Sequence, residues 1–138
     1  MAKPILLTLL SPRYELSYRV HDALLAHPTI SSDYEIQIVP YSPGDEEMPD
    51  IAHYNPVGII TALNAETEDM EKLVKTGARV VNMSASLYKG TSSLYMCPEY
   101  FSKAVMRHAR GAGFKTVVYL STQGIVNSQK VQGAFFEQ

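Results

Sequence analysis

The residues with the most chemical reach near the start of the chain are Arg13 and Tyr14, in the "SPRYE" that follows the apolar run "ILLTLL". A guanidinium there presents a rigid fork of donors to a hydroxylated or anionic molecule. A tyrosine beside it can stack on a sugar ring and donate a hydrogen bond. The same two residues also fit the exposed first turn of a helix, so they read either as ligand donors or as surface. Ser84 and Ser86 offer hydroxyls farther along, although Ser is also a common turn former. Cys97 stands just before Pro98, where a helix N-terminus would stabilise a thiolate. No candidate base lies near it in sequence, and an unassisted thiol reads as inert. Lys103, Arg107 and Arg110 form a basic stripe at helical spacing. It fits a phosphate-binding surface or, more simply, the solvated outer face of a helix.

Motifs that would decide for an enzyme are missing. No G-x-G-x-x-G follows the first apolar run, and there is neither a phosphate-binding G-x-x-x-x-G-K-[ST] nor a G-x-S-x-G elbow. His21, His27, His53 and His108 form no H-x-x-x-H pair and the single Cys97 stands alone, so no zinc site is expected. The acids at 45–50 read as a loop and those at 66–71 as a solvated helix face. The sequence thus predicts no catalytic activity, no metal and no cofactor. Twelve basic and fourteen acidic residues leave a net charge of -2, which argues against a strongly electrostatic partner such as bulk nucleic acid or an anionic membrane. The run "ILLTLL" is too short for a membrane span and lacks the flanks of a signal peptide. A lone cysteine fits a reducing cytosol best.

These side chains need positions, and hydrophobic patterning says which elements supply them. Residues 5–10 are nearly all apolar, as a central parallel strand would be. Leu16, Val20, Ala23, Leu24 and His27 follow at helical spacing until Pro28. "YEIQIV" (34–39) alternates, "PYSPGDEEMPD" is loop chemistry, and "VGIITAL" (57–63) is the next strand. Residues 66–76 read as a helix closed by Gly77, and "RVVNMS" (79–84) as a fourth strand. After the polar "ASLYKGTSS" and a short extended "LYM" (94–96), a helix opens on Pro98 and Glu99 and ends at Gly113. Its apolar face is expected to be Phe101, Ala104, Val105, His108 and Ala112. "TVVYLS" (116–121) is taken as the fifth strand. Asn127 then caps a last helix with Val131, Ala134, Phe135 and Gln138 on one face. At 138 residues and 46% hydrophobic the chain can bury one core. The alternation predicts an α/β domain, a doubly wound parallel five-stranded sheet of order 2-1-3-4-5 with helices on both faces. Ligands bind such sheets beyond the carboxyl ends of the strands. That edge would carry Ser11, Pro12, Arg13 and Tyr14 after the first strand, Asn64 after the third, Ser84 to Ser86 after the fourth, and Thr122 and Gln123 after the fifth, and the contacts expected there are Arg13, Tyr14, Asn64, Ser84 and Glu99.

The order of these pieces resembles the sensor domains of lactose-repressor and galactose-repressor type regulators, most nearly the xylose-regulator type. The resemblance rests on Gly58-Ile59-Ile60, Val80-Val81-Asn82-Met83-Ser84, His108-Ala109, Gly113-Phe114 and the closing "SQKVQGAFFE", and it runs over most of the chain. The family's aspartate at the start of the fourth helix is replaced here by Pro98 with Glu99 beside it. Ser17 stands where the xylose type has an arginine, and Val57 where an aspartate precedes "G-I-I". The resemblance implies one lobe of a two-lobe, periplasmic-binding-protein-like fold hinged about a sugar cleft, with the second lobe expected to follow Gln138. It implies a cytoplasmic homodimeric regulator whose effector is a sugar or related small molecule, and DNA contact only through a domain this chain does not include. A complete small flavodoxin-like signalling module or enzyme is the alternative reading.

Overall fold

The structure, a computed structural model, describes residues 1–63, 67–84, 86–120 and 126–136. Strands Ile5–Leu10 (β1), Glu35–Pro40 (β2), Gly58–Thr61 (β3), Arg79–Asn82 (β4) and Thr91–Ser93 (β5) form one sheet of order β2-β1-β3-β4-β5. Every neighbouring pair is parallel. The α/β class and the 2-1-3-4-5 order expected from the alternation are therefore present. The helices are Glu15–Ala26 (α1), Pro28–Asp33 (α2), Glu68–Lys75 (α3), Pro98–Gly111 (α4) and Val126–Phe136 (α5), with a 3₁₀ turn at Ile51–Tyr54.

Strand alternation divides β1 between two layers. Leu7 and Leu9 point into the main core with Val39, Tyr41, Ile51, Ile59, Leu63 and Val80, and α3 closes it with Met70 and Leu73. Thr8, on the opposite side of β1, meets His21 of α1 through a 2.9 Å contact between Oγ1 and Nε2. α1 and α3 thus cover opposite faces of the sheet. The layer beneath α1 is thinner: α1 buries Ser17 and half-buries Val20, His21 and Leu24, while Ile38 on the same side of β2 stays 44% exposed. Apolar spacing puts Leu16, Ala23 and His27 on one face with Val20 and Leu24, yet these three are exposed. Pro28 ends α1 and also opens α2, with His27 Nδ1 accepting from the Ile30 N–H at its start.

The fifth strand is not the one expected. Residues 116–120 carry no strand, Ser121 lies outside the described residues, and β5 is Thr91–Ser93 within the polar "ASLYKGTSS". The segment "LYM" likewise lies outside any strand. Polar groups fix β5 in place. The Leu94 N–H donates to the Asn82 carbonyl, the Thr91 hydroxyl to the Tyr88 carbonyl, and the Ser93 hydroxyl to the Ser86 carbonyl. A composition-based reading favours Val and Tyr and gives little weight to Thr-Ser-Ser at a sheet edge.

α4 begins at Pro98 with Cys97 as its N-cap residue, as expected, and Gly113 turns out of it at φ 78°. Its buried side runs through Pro98, Ser102 and Ala109, whereas Ala104, His108 and Ala112 are exposed. α4 packs against α5, which buries Val131 and Ala134. α5 starts at Val126, so Asn127 is inside the helix rather than at its cap. The side chain of Phe135, and Gln138 altogether, lie outside the described residues. Among the described residues no helix is long and apolar enough to cross a membrane.

Candidate functional site

At the carboxyl edge of the sheet the chain leaves β1 through Ser11, β2 through Tyr41, β3 through Ala62 and β4 through Met83. The ends of the strands therefore set what can meet there. A cavity of about 370 Å³ opens between them, lined by Leu9, Leu10, Ser11, Tyr14, Leu16, Ser17, Tyr41, Pro43, Ala62, Leu63 and Met83. It sits where the order reverses between β1 and its two neighbours, the position at which open α/β sheets bind ligands.

Hydroxyl groups hold its polar side together. Ser17 Oγ donates to the Ser11 carbonyl at 2.7 Å, fixing the first turn of α1 against the end of β1. Ser11 Oγ and Ser42 Oγ lie 2.8 Å apart, joining the ends of β1 and β2. The opposite wall depends on Asn82, which is fully buried. Its Oδ1 accepts from the Leu63 N–H at 3.0 Å and its Nδ2 donates to the Leu63 carbonyl at 2.9 Å. One amide thus takes the place of a strand partner just past β3 and holds Leu63 in the cavity wall. Tyr41 is 2% exposed, and its hydroxyl donates to Asp69 Oδ2 in the first turn of α3. Burial, then the bond to Asp69, push this phenol well above its ordinary value, so it stays a neutral donor.

The expected contacts fall unevenly around this space. Tyr14 lines it, and its hydroxyl makes no hydrogen bond among the described residues. Arg13 is exposed and faces Asp45, with Nη2 to Oδ2 at 2.8 Å, so its fork is already half engaged by the loop after β2. Ser84 acts within its own turn, its Oγ accepting from the Ser86 N–H at 3.3 Å. Glu99 is exposed in the first turn of α4, outside the cavity lining. A bond from its own backbone N–H, then one from the Cys97 thiol, hold its carboxyl below the ordinary value. Asn64, Thr122 and Gln123 lie outside the described residues.

Ser11 is expected at this edge but its contact with Ser42 is not, and Ser17, Tyr41 and Met83 are not among the expected contacts. The β1–β2 register, which pairs Leu10 with Pro40, brings Tyr41 and Ser42 beside Ser11. No single-strand pattern carries that pairing. The cavity offers the Tyr14 phenol, serine hydroxyls and an apolar floor, and no Lys or Arg is among its lining residues. It suits a neutral hydroxylated molecule that has one apolar face. Among the described residues no three His, Cys, Asp or Glu side chains gather to hold a metal ion.

No family model, no curated protein and no solved structure matches this chain.

Proposed function

We propose that the chain is the effector-sensing lobe of a transcriptional regulator, and that it takes a sugar or a related small hydroxylated molecule at the carboxyl edge of its sheet. The observation that carries this reading is the hydroxyl-lined cavity at the switch point, with Tyr14 in its lining and Arg13 next to Tyr14 in the chain. Tyr14 supplies a ring for the apolar face of a pyranose, and the serines and backbone groups supply donors and acceptors for its hydroxyls. Arg13, held by Asp45, orients as a donor without adding net charge, which suits an uncharged sugar. Asn64, Ser84 and Glu99 are the further contacts this reading expects.

Function in this reading is binding without a catalytic step. A companion lobe closes over the ligand, and ligand that binds the closed pair better shifts the population toward it. In a cytoplasmic homodimer that closure moves the lobes relative to one another, and a separate domain reads DNA. The test is titration calorimetry of the chain joined to its companion lobe against a panel of pentoses and hexoses. One sugar is expected to bind, with affinity reduced about tenfold or more in Tyr14→Ala and in Arg13→Ala. A bound sugar indifferent to both substitutions places the site elsewhere, and a panel without binding removes the sugar reading.

A further inference from the structure

α4 and the segment after it carry a charge pattern that the cavity at the sheet edge does not use. Lys103, Arg107 and Arg110 follow one another at spacings of four and three along α4, and Lys115 comes two residues after Gly113. All four are exposed, and none forms an ion pair among the described residues. Lys103 does no more than help hold the nearby Glu99 carboxyl low. Glu99 is the sole acid between residues 98 and 136. An ordinary solvated helix face mixes its signs, as α3 does with Lys72–Glu68 and Lys75–Glu71. α4 instead leaves like charges in a row, which repel one another unless something anionic lies across them.

Apolar surface adjoins this row. A cavity of about 370 Å³ is lined by Met106, Ala109, Arg110, Phe114, Lys115, Val117, Tyr119 and Gln132. Phe114 is 64% exposed and Val117 42% exposed, so the hollow is open to a partner. Met106 and Arg110 also line a shallower concavity with Lys103 and Arg107, which joins the stripe to the hollow.

We propose that this face docks an acidic amphipathic peptide segment of a partner protein. The partner's large apolar side chains would fill the hollow beside Phe114, and its carboxylates would lie along Lys103, Arg107, Arg110 and Lys115. Charge complementarity selects the sign of the partner. The apolar hollow selects a peptide over a nucleic acid, whose phosphates would pair the cations and leave Phe114 and Val117 uncovered. The stripe from Lys103 to Arg110 is about 10 Å long at 1.5 Å per residue, the reach of about two turns of a docked helix. Arginine carboxylate pairs at its centre supply register, and the aromatic anchor supplies most of the affinity.

The test is fluorescence anisotropy on the full chain with a fluorescein-labelled peptide in which a Leu–Phe pair is flanked by Asp and Glu. Saturable binding that weakens with added salt is expected. Replacing the acids by Asn and Gln, or the Leu–Phe pair by Ala, is expected to weaken it about tenfold or more. Arg107→Glu with Arg110→Glu, and separately Phe114→Ser, are expected to do the same, while Lys72→Glu on α3 leaves binding within about twofold. Circular dichroism confirms that each variant folds, and Arg107→Gln with Arg110→Gln repeats the charge test more gently. Absence of saturable binding overturns the proposal. So does binding that the charge reversals leave untouched, or a duplex oligonucleotide that competes and is lost in the same variants.

Discussion

Asn82 ties the end of β4 to the segment just past β3. It is fully buried, and it satisfies both backbone groups of Leu63 where the β3–β4 ladder has ended. Asn82→Ala leaves that N–H and C=O without protein partners, an expected cost of about 2–4 kcal/mol from two orphaned groups. Urea unfolding measures it, and a loss below about 1 kcal/mol would mean that water takes over both bonds. His21 acts through protonation. Burial lowers its pKa from the ordinary 6.5, with Asp22 partly opposing. The unfolded chain therefore takes a proton near pH 6.5 that the folded chain refuses until lower pH. Stability from this group is complete above that value and is lost as pH falls below it. The thermal midpoint is expected to drop between about pH 7.5 and pH 5.5, and to drop less in His21→Gln. An identical drop in the variant would assign the effect to other groups. Neither role could be read from sequence, because each depends on a neighbour far along the chain: Leu63 for Asn82, Thr8 for His21.

At the scale of the element, the parts legible in sequence are those made by local chemistry. α3 stops at Gly77, whose φ of 79° is the left-handed conformation that glycine adopts without strain. A Cβ there would meet nothing within 4 Å, so the cost of Gly77→Ala is backbone strain alone, about 1–2 kcal/mol. Chemical denaturation is expected to show this loss for Gly77→Ala and a smaller one for Gly77→Asn, since Asn tolerates the left-handed region. Equal losses would point to packing instead. Gly58 is constrained differently, because a Cβ there would lie 3.0 Å from Leu6 Cδ1, a side-chain tip able to swing aside. β5 marks the limit of element-level reading. Thr91–Ser93 carry no apolar pattern, and what makes them a strand is the free edge of β4 beside them.

The whole molecule keeps much apolar surface in contact with solvent. Leu16 is 60% exposed on α1, while Val118 at 76% and Leu120 at 89% follow α4. The sheet face under α1 is covered more thinly than the face under α3. Surface of this kind normally marks an interface. Self-association, most simply as a homodimer, is the expected outcome, and light scattering across a concentration series measures it directly. A single monomeric species at high concentration would count against it. If dimerisation uses the α1 face, Leu16→Ser is expected to shift the equilibrium toward monomer, because that substitution removes apolar area from the contact.

The sequence by itself determined the α/β class, β1, the approximate strands at 35–40, 58–61 and 79–82, the Pro98 start of α4 and the glycine stops of α3 and α4. These follow from hydrophobic period and from backbone preferences that act within a few residues. It also placed Tyr14 at the carboxyl edge, since the first loop after a central strand must emerge there. Contacts between distant segments set the remainder. Strand pairing brought Ser42 to Ser11 and Tyr41 to the cavity wall. The free edge of β4 made a strand of Thr91–Ser93. Asp45 came to face Arg13, and the open hollow at Phe114 came to lie beside the cations of α4. Each of these depends on contacts between segments distant in the chain, and periodicity within one segment carries no information about its neighbour.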